Sequence, residues 1–329
     1  MNDRSYVTLL GRGLQLPQAG SGTLGGVEPP DHPGAVPPER MASLVSAGLR
    51  LAAYEWGDPA GPPVVLCHGM FDHARGFDLL APLLAERFRV VAFDARGHGE
   101  SEWADAYLWP TDVADVAAVL AWVGRPAHLV GHSRGGGLAT DAAVHAPDRV
   151  RQLVNLDGFG PPLEGFDGGS PMDPEPGSLP ERLGTFLDQR RRARKVDSWR
   201  PSASLEELVE RRHLQNPRLS REWLSYLCFH AARETDAGWT WKADPNAARA
   251  FGPWRPEWIA PLWRHLQAPM LAVAGSAPDT WGPLPDPLIE ERLAYVSNVR
   301  RGTLRGVGHF VHMEDPVATA DLLLDFLEI

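Results

Sequence analysis

Residues 128–136 read HLVGHSRGG, a short apolar run followed by a serine between two glycines. The spacing G-x-S-x-G can hold a serine hydroxyl on a sharp turn, or it can be a glycine-rich bend with no chemistry. Glycine makes up 33 of the 329 residues, so the pattern alone is weakly specific. Its surroundings sharpen the reading. The stretch AHLVGH (127–132) reads as a buried strand and RGGGLATDAAVHAP (134–147) as a helix, which leaves Ser133 at the junction. So tight a turn strains the backbone at the serine and leaves no room for side chains at Gly131 and Gly135. It also sets the Arg134 N–H beside the hydroxyl, at a helix N-terminus where the dipole favours developing negative charge.

Outward from this junction the chain alternates. MASLVSAGLRLAAYEWG (41–57) reads as two strands joined by a tight turn at Ala47-Gly48. PPVVLCHG is a continuous apolar strand, FDLLAPLLAERF a helix, RVVAFDARGHG a strand and WPTDVADVAAVLAWVG a helix with a threonine or aspartate cap. The strand VRQLVNLDG follows the serine's helix. Apolar strands alternating with amphipathic helices imply an α/β layered fold, its parallel sheet covered on both faces. The alternation stops near residue 159, and 180–267 reads as helices without strands. PMLAVAG, LIEERLAYV, VRRGTLRGVGH and PVATADLLLDFLE then resume it. The expected organisation is a Gly/Pro-rich arm over 1–41, flexible or laid over the surface, a core over 42–158 and 268–329, and a helical cap over 159–267. Seven of the twelve tryptophans fall in the excursion (199, 223, 239, 241, 254, 258 and 263), either packing a helical layer or lining a lid.

A serine nucleophile needs a base, and the base an orienting acid. GVGHFVHMEDP places His309 in the loop after the last predicted strand, with His312 as a rival three residues on. AVAGSAPDTWG puts Asp279 four residues after Gly275, just past a buried strand, and Asp279 is the favoured acid. The alternative is Asp157 in LVNLDGFG, directly after the preceding strand. VVLCHGMFDH supplies a second oxyanion donor, the Met70 N–H, after the turn at Gly69. In FDARGHGES, Asp94 and Arg96 are expected to brace the turn, with His98 beside the site mouth.

Composition narrows the classes. A net charge of −10 argues against a nucleic-acid binder, and QRRRARK (189–195) reads as a solvated helix face. Only Lys195 and Lys242 among the 32 basic residues are lysines, which with abundant Ala, Gly and Pro indicates a GC-rich, bacterial genome. Cys67 and Cys228 are too few for a disulfide framework and lack zinc or redox spacing. With no secretory head and no apolar run long enough for a bilayer, the expectation is a cytoplasmic protein without a membrane partner.

Together HGM (68–70), DARGHGES (94–101), GHSRGG (131–136), GSAPD (275–279) and GHFVHMEDP (308–316) resemble the α/β-hydrolase fold superfamily over residues 42–329. The Ser, Asp, His order matches as well. The resemblance implies a three-layer fold with an eight-stranded, mostly parallel sheet and a helical cap inserted after the sixth strand. It implies Ser133 as nucleophile, His309 as base and Asp279 as acid; in some members the acid follows the sixth strand, where Asp157 lies. Epoxide hydrolases and haloalkane dehalogenases carry GHDRGG where this chain has GHSRGG, so their alkyl-ester chemistry is excluded. The usual H-G-x-P turn is HGMF here, with Phe71 replacing proline. The expectation is a serine esterase acting on a small ester, lactone or thioester through an acyl-enzyme, with no cofactor and no metal. C–C bond hydrolysis, perhydrolysis, lyase chemistry on the same triad, and non-catalytic ligand binding are the alternatives. Self-association into a homo-oligomer is left open.

Overall fold

The computed structural model describes residues 28–160, 199–247 and 260–328. Eight strands form one sheet: β1 (Arg40–Ser46), β2 (Leu49–Trp56), β3 (Pro63–Cys67), β4 (Arg89–Phe93), β5 (Ala127–His132), β6 (Val150–Leu156), β9 (Met270–Gly275) and β10 (Val299–Leu304). Their spatial order is β1-β2-β4-β3-β5-β6-β9-β10. The β1–β2 and β2–β4 pairs are antiparallel and all others parallel. The hairpin between β1 and β2 turns where expected, with Ala47 (φ 47°) and Gly48 (φ 84°) both left-handed, as a two-residue hairpin loop requires.

The period-2 geometry of a strand explains why the central strands are apolar throughout. Along β3, Val65 and Cys67 enter one core layer and Val64 and Leu66 the other. The first layer is closed by α2 (Trp109–Val123), α3 (Arg134–His145) and α6 (Asp286–Leu293), the second by α1 (Ala81–Ala85) and α8 (Pro316–Phe326). Each fully buried Val or Leu contributes about 1.5–3 kcal/mol. After β3 the chain crosses to β4 on one side, then returns to lay β5 on the other. That reversal opens a crevice at the carboxyl ends of β3 and β5, where ligands of open α/β sheets bind. Met70 and Ser133 follow those two strand ends.

Three details differ from the sequence reading. The expected helix over 77–88 is a 3-10 turn (Ala74–Phe77) followed by the five-residue α1, which begins next to Pro82. Among its described residues the excursion holds two helices, α4 (Leu205–Gln215) and α5 (Arg221–Ala231), each capped by a serine hydroxyl, Ser204 and Ser220. It also holds a hairpin, β7 (Ala232–Thr235) with β8 (Gly238–Trp241), where only helices were expected. The turn Ala260–His265 packs into the sheet core instead of a cap, and Trp263 Nε1–H donates to Asp141 Oδ1 at 3.0 Å. The part of the arm from residue 28 onward is laid on the surface, one of the two states its composition allowed. The Val36 N–H donates to the Asp78 carbonyl, and Trp56 Nε1–H to the Val36 carbonyl. The rest of the arm, the basic run 189–195, Trp254 and Trp258 lie outside the described residues. No helix among those described is long and apolar enough to cross a membrane.

Candidate active site

Ser133 occupies the strained turn expected of it. Its backbone sits at φ 53°, ψ −123°, between the end of β5 and the start of α3. The flanking glycines are required by contact: a Cβ on Gly131 would meet the Gly135 carbonyl at 2.2 Å, and one on Gly135 the Cys67 carbonyl at 2.4 Å. Ser133 is half-buried, and the Arg134 N–H belongs to the first residue of α3. A Cβ on Gly69 would lie 3.3 Å from Ser133 Cβ, so the Gly69-Met70 segment runs directly beside the serine.

Two neutral histidines hold that segment. His68 Nδ1–H donates to the Gly69 carbonyl (2.7 Å) while Nε2 accepts from the Ala95 N–H (2.9 Å). His98 Nδ1–H donates to the Arg96 carbonyl (3.0 Å), and its Nε2 accepts from the Phe71 N–H (3.3 Å). Burial lowers their pKa values to about 3 and about 4, so one nitrogen of each stays an acceptor at neutral pH. Phe71 lies at φ 57°, which a proline ring cannot adopt, so this turn has no place for the usual proline. Asp94 braces its own loop by accepting from the Ala74 and Glu100 N–H groups and the Tyr54 hydroxyl. Arg96 reaches outward instead, making a bidentate pair with Asp115 on α2 at 2.6 and 2.7 Å. The Arg134 side chain pairs with Asp112 of α2 and lies over the Trp109 ring, so it braces the core next to the serine. Asp112 therefore serves an ion pair, not the helix cap that the sequence allowed.

His309 follows β10 and packs its ring 4.8 Å from that of His132, the residue preceding Ser133. The His132 Nε2–H also donates to the His309 carbonyl at 2.9 Å. The carboxylate on the His309 ring is that of Asp157, with Nδ1 to Oδ2 at 2.6 Å and both side chains nearly buried. The sequence favoured Asp279 as the acid, whereas the ring hydrogen bond goes to the alternative, Asp157. The Asp279 carboxylate is taken up by main chain: Oδ2 accepts from the His309 N–H (2.6 Å), Oδ1 from the N–H groups of Trp281 and Gly282. The run D-T-W-G is itself a turn signature, aspartate first and glycine fourth, and it could have warned that this carboxylate is spent locally.

Asp157 is aimed by an equally local device. Its backbone is left-handed (φ 52°), its N–H donates to the Val273 carbonyl of β9, and Asn155 clamps Gly158 from both sides. A Cβ at Gly158 would strike the Ser133 carbonyl at 2.4 Å, which ties the acid's turn to the elbow. His312, the rival base, is fully buried, its ring 4.8 Å from Phe77 and 4.4 Å from His132. Among the described excursion tryptophans, Trp223, Trp239 and Trp241 pack in the helical layer, Trp223 stacked on Tyr226. Trp199 does touch Phe71 of the Gly69-Met70 loop. Trp281, which the sequence reading passed over, lies outside the excursion with its ring 6.4 Å from that of His309.

The site thus sits at the crevice of a doubly wound sheet, on a strand-to-helix elbow. The family model for the alpha/beta hydrolase family matches residues 64–322, and the chain belongs to that family. A 3-hydroxybutyrate-oligomer hydrolase of Cupriavidus necator is 32% identical over 288 residues, 83% of this chain and 92% of the relative. A serine hydrolase-like protein of Danio rerio is 29% identical over 284 residues, 83% of each chain. Among solved structures, a thioesterase domain from the curacin biosynthetic pathway superposes with a TM-score of 0.74 at 24% identity, covering 87% of this chain and 99% of that one.

Proposed function

We propose that the protein is a serine hydrolase of ester-like bonds, with Ser133 as nucleophile, His309 as general base and Asp157 as the acid that orients it. The observation that carries this reading is the 2.6 Å contact between His309 Nδ1 and Asp157 Oδ2, next to the strained elbow. Proton transfer to His309 Nε2 turns Ser133 Oγ into an alkoxide-like attacker on the carbonyl carbon. The imidazolium formed is held by Asp157, and the N–H groups of Met70 and Arg134 receive the oxyanion. His309 then gives its proton to the leaving alcohol or thiol. Water, activated by the same imidazole, releases the acyl group from Ser133. The resemblance to the Cupriavidus necator hydrolase favours ester-linked oligomers of short hydroxy acids as the substrate class.

The test is labelling by a fluorophosphonate probe, followed by turnover of hydroxybutyrate oligomers and short p-nitrophenyl esters. Wild type is expected to label at Ser133. The Ser133→Ala variant is expected to lose labelling and at least about a thousandfold in kcat, since such residues act as a unit. Folded wild type that takes up no probe overturns the proposal.

A further inference from the structure

Three buried polar side chains outside the proposed triad converge beneath the Gly69-Met70 loop. Asp72 ends that loop, His132 ends β5, and His312 lies on α7 (Val311–Glu314). One ligating atom from each lies within 4.8 Å of the others. Asp72 is 4% exposed and both imidazoles are 0% exposed. Buried polar atoms nearly always have a partner. Yet Asp72 Oδ2, His132 Nδ1 and both ring nitrogens of His312 have none.

The remaining hydrogen bonds show which lone pairs face inward. Asp72 uses Oδ1 to accept from the His73 N–H at 3.0 Å, leaving Oδ2 over. His132 donates Nε2–H to the His309 carbonyl, so its Nδ1 carries a bare lone pair. Burial raises the Asp72 pKa to about 6, only partly countered by the Arg212 guanidinium, which donates to the Phe71 carbonyl at 3.3 Å. Gly76 leaves the space free, since a Cβ there would press on the Asp72 carboxylate at 2.9 Å.

We propose that Asp72, His132 and His312 form a closed binding site for a borderline divalent transition metal ion of the zinc or cobalt(II) type. Two imidazole nitrogens and one carboxylate oxygen are a donor set that such ions favour, whereas calcium and magnesium demand more oxygens. Metal–ligand bonds near 2.0–2.2 Å put tetrahedral donors about 3.3–3.5 Å apart, so each pair closes by at most about 1.5 Å. The bound ion ties together the loop after β3, the strand that carries Ser133 and the segment after His309. Through His132 it also strengthens the donor that holds the His309 carbonyl.

The test uses the full chain after chelator treatment, titrated with cobalt(II) or zinc by calorimetry. Cobalt(II) ligand-field absorption and the thermal unfolding midpoint serve as further readouts, none of which needs hydrolytic activity. Wild type is expected to bind one equivalent, show low-coordinate cobalt bands and unfold at higher temperature when loaded. Asp72→Asn and His312→Phe are each expected to weaken binding at least about a hundredfold, since loss of even an outer-shell partner costs 10–100-fold. If His312→Phe does not fold, Asp72→Asn, which keeps the side chain's shape, decides alone. Wild type that binds no ion, so that the cluster holds ordered water only, overturns the proposal. So does unchanged affinity in either folded variant, which would place the ion on other histidines.

Discussion

Replacing Asp157 by asparagine keeps the size of the side chain and removes one charge from a pair whose members are 10% and 5% exposed. In wild type the carboxylate accepts the His309 Nδ1 proton at 2.6 Å, which leaves Nε2 as the ring nitrogen without a proton. Asparagine can present its NH2 group to that ring, which favours the opposite tautomer and a protonated Nε2. It also withdraws the charge that stabilises the imidazolium. Breaking a buried ion pair by removing one partner costs about 3–5 kcal/mol. Expressed in a transition state where the imidazole is charged, that is about 10²- to 10⁴-fold in kcat. Asp279→Asn should behave differently. Its carboxylate holds three main-chain N–H groups and no ring, so the loss falls on stability, by about 1–3 kcal/mol, with kcat within about tenfold of wild type. The assay is initial-rate hydrolysis of a short p-nitrophenyl ester by both variants, with circular dichroism and urea denaturation to show that each is folded. A crippled Asp279→Asn beside a near-wild-type Asp157→Asn would refute the assignment of the acid.

Gly135→Ala drives a methyl against the Cys67 and His68 carbonyls at 2.4 and 2.5 Å, and backbone cannot swing away as a side chain can. We expect a loss of about 1–3 kcal/mol or more in urea denaturation, together with slower probe labelling; an unchanged midpoint would contradict the packing described for the elbow. Arg134→Leu leaves Asp112 with Arg96, 3.5 Å away, as its charge partner among the described residues and should cost about 2–3 kcal/mol, while the backbone N–H at 134 is kept. Wild-type stability in that variant, read by thermal unfolding, would show the ion pair to be without consequence. Acid should destabilise the fold. His68, His98 and His312 have folded pKa values of about 3, 4 and 3, below the 6.5 of an unfolded histidine. Between those limits the unfolded chain binds more protons, so stability falls as pH drops from about 6.5 towards 4, by about 1.4 kcal/mol per pH unit for each net proton. Asp72 and Asp78, raised to about 6 by burial, act the other way over about pH 4–6 and offset part of the loss. Equal or greater stability at pH 5 than at pH 7 in urea denaturation would contradict the buried, neutral state of these histidines.

The fold and half of the site could be read from short-range pattern. The apolar strands, the hairpin turn at Ala47-Gly48, and the glycines on either side of Ser133 are set by constraints that act within a few residues. Packing details were not legible in the same way. The hairpin at residues 232–241 has strands of four residues each, too short to show a period, and its pairing is a contact between segments. The docking of Trp263 onto Asp141 spans 122 positions of sequence, and no local pattern announces it.

The acid shows where that boundary falls. By itself the sequence determined that a serine would stand on a strained turn, that a histidine would follow the last strand, and that an aspartate would follow one of two neighbouring strands. Each of these is a local property of a strand end, fixed by steric limits on the backbone and by the alternation of apolar runs. Only the tertiary structure sets which carboxylate meets the His309 ring and which meets its main chain. Both carboxylates bond to His309, one through its ring and one through its main chain, so their roles differ by a rotation of a side chain. Two turns set that rotation: the left-handed one at Asp157, packed under the elbow, and the D-T-W-G turn that consumes Asp279. Direction of this kind is a property of packed loops, and it emerges only once β6, β9 and β10 lie side by side.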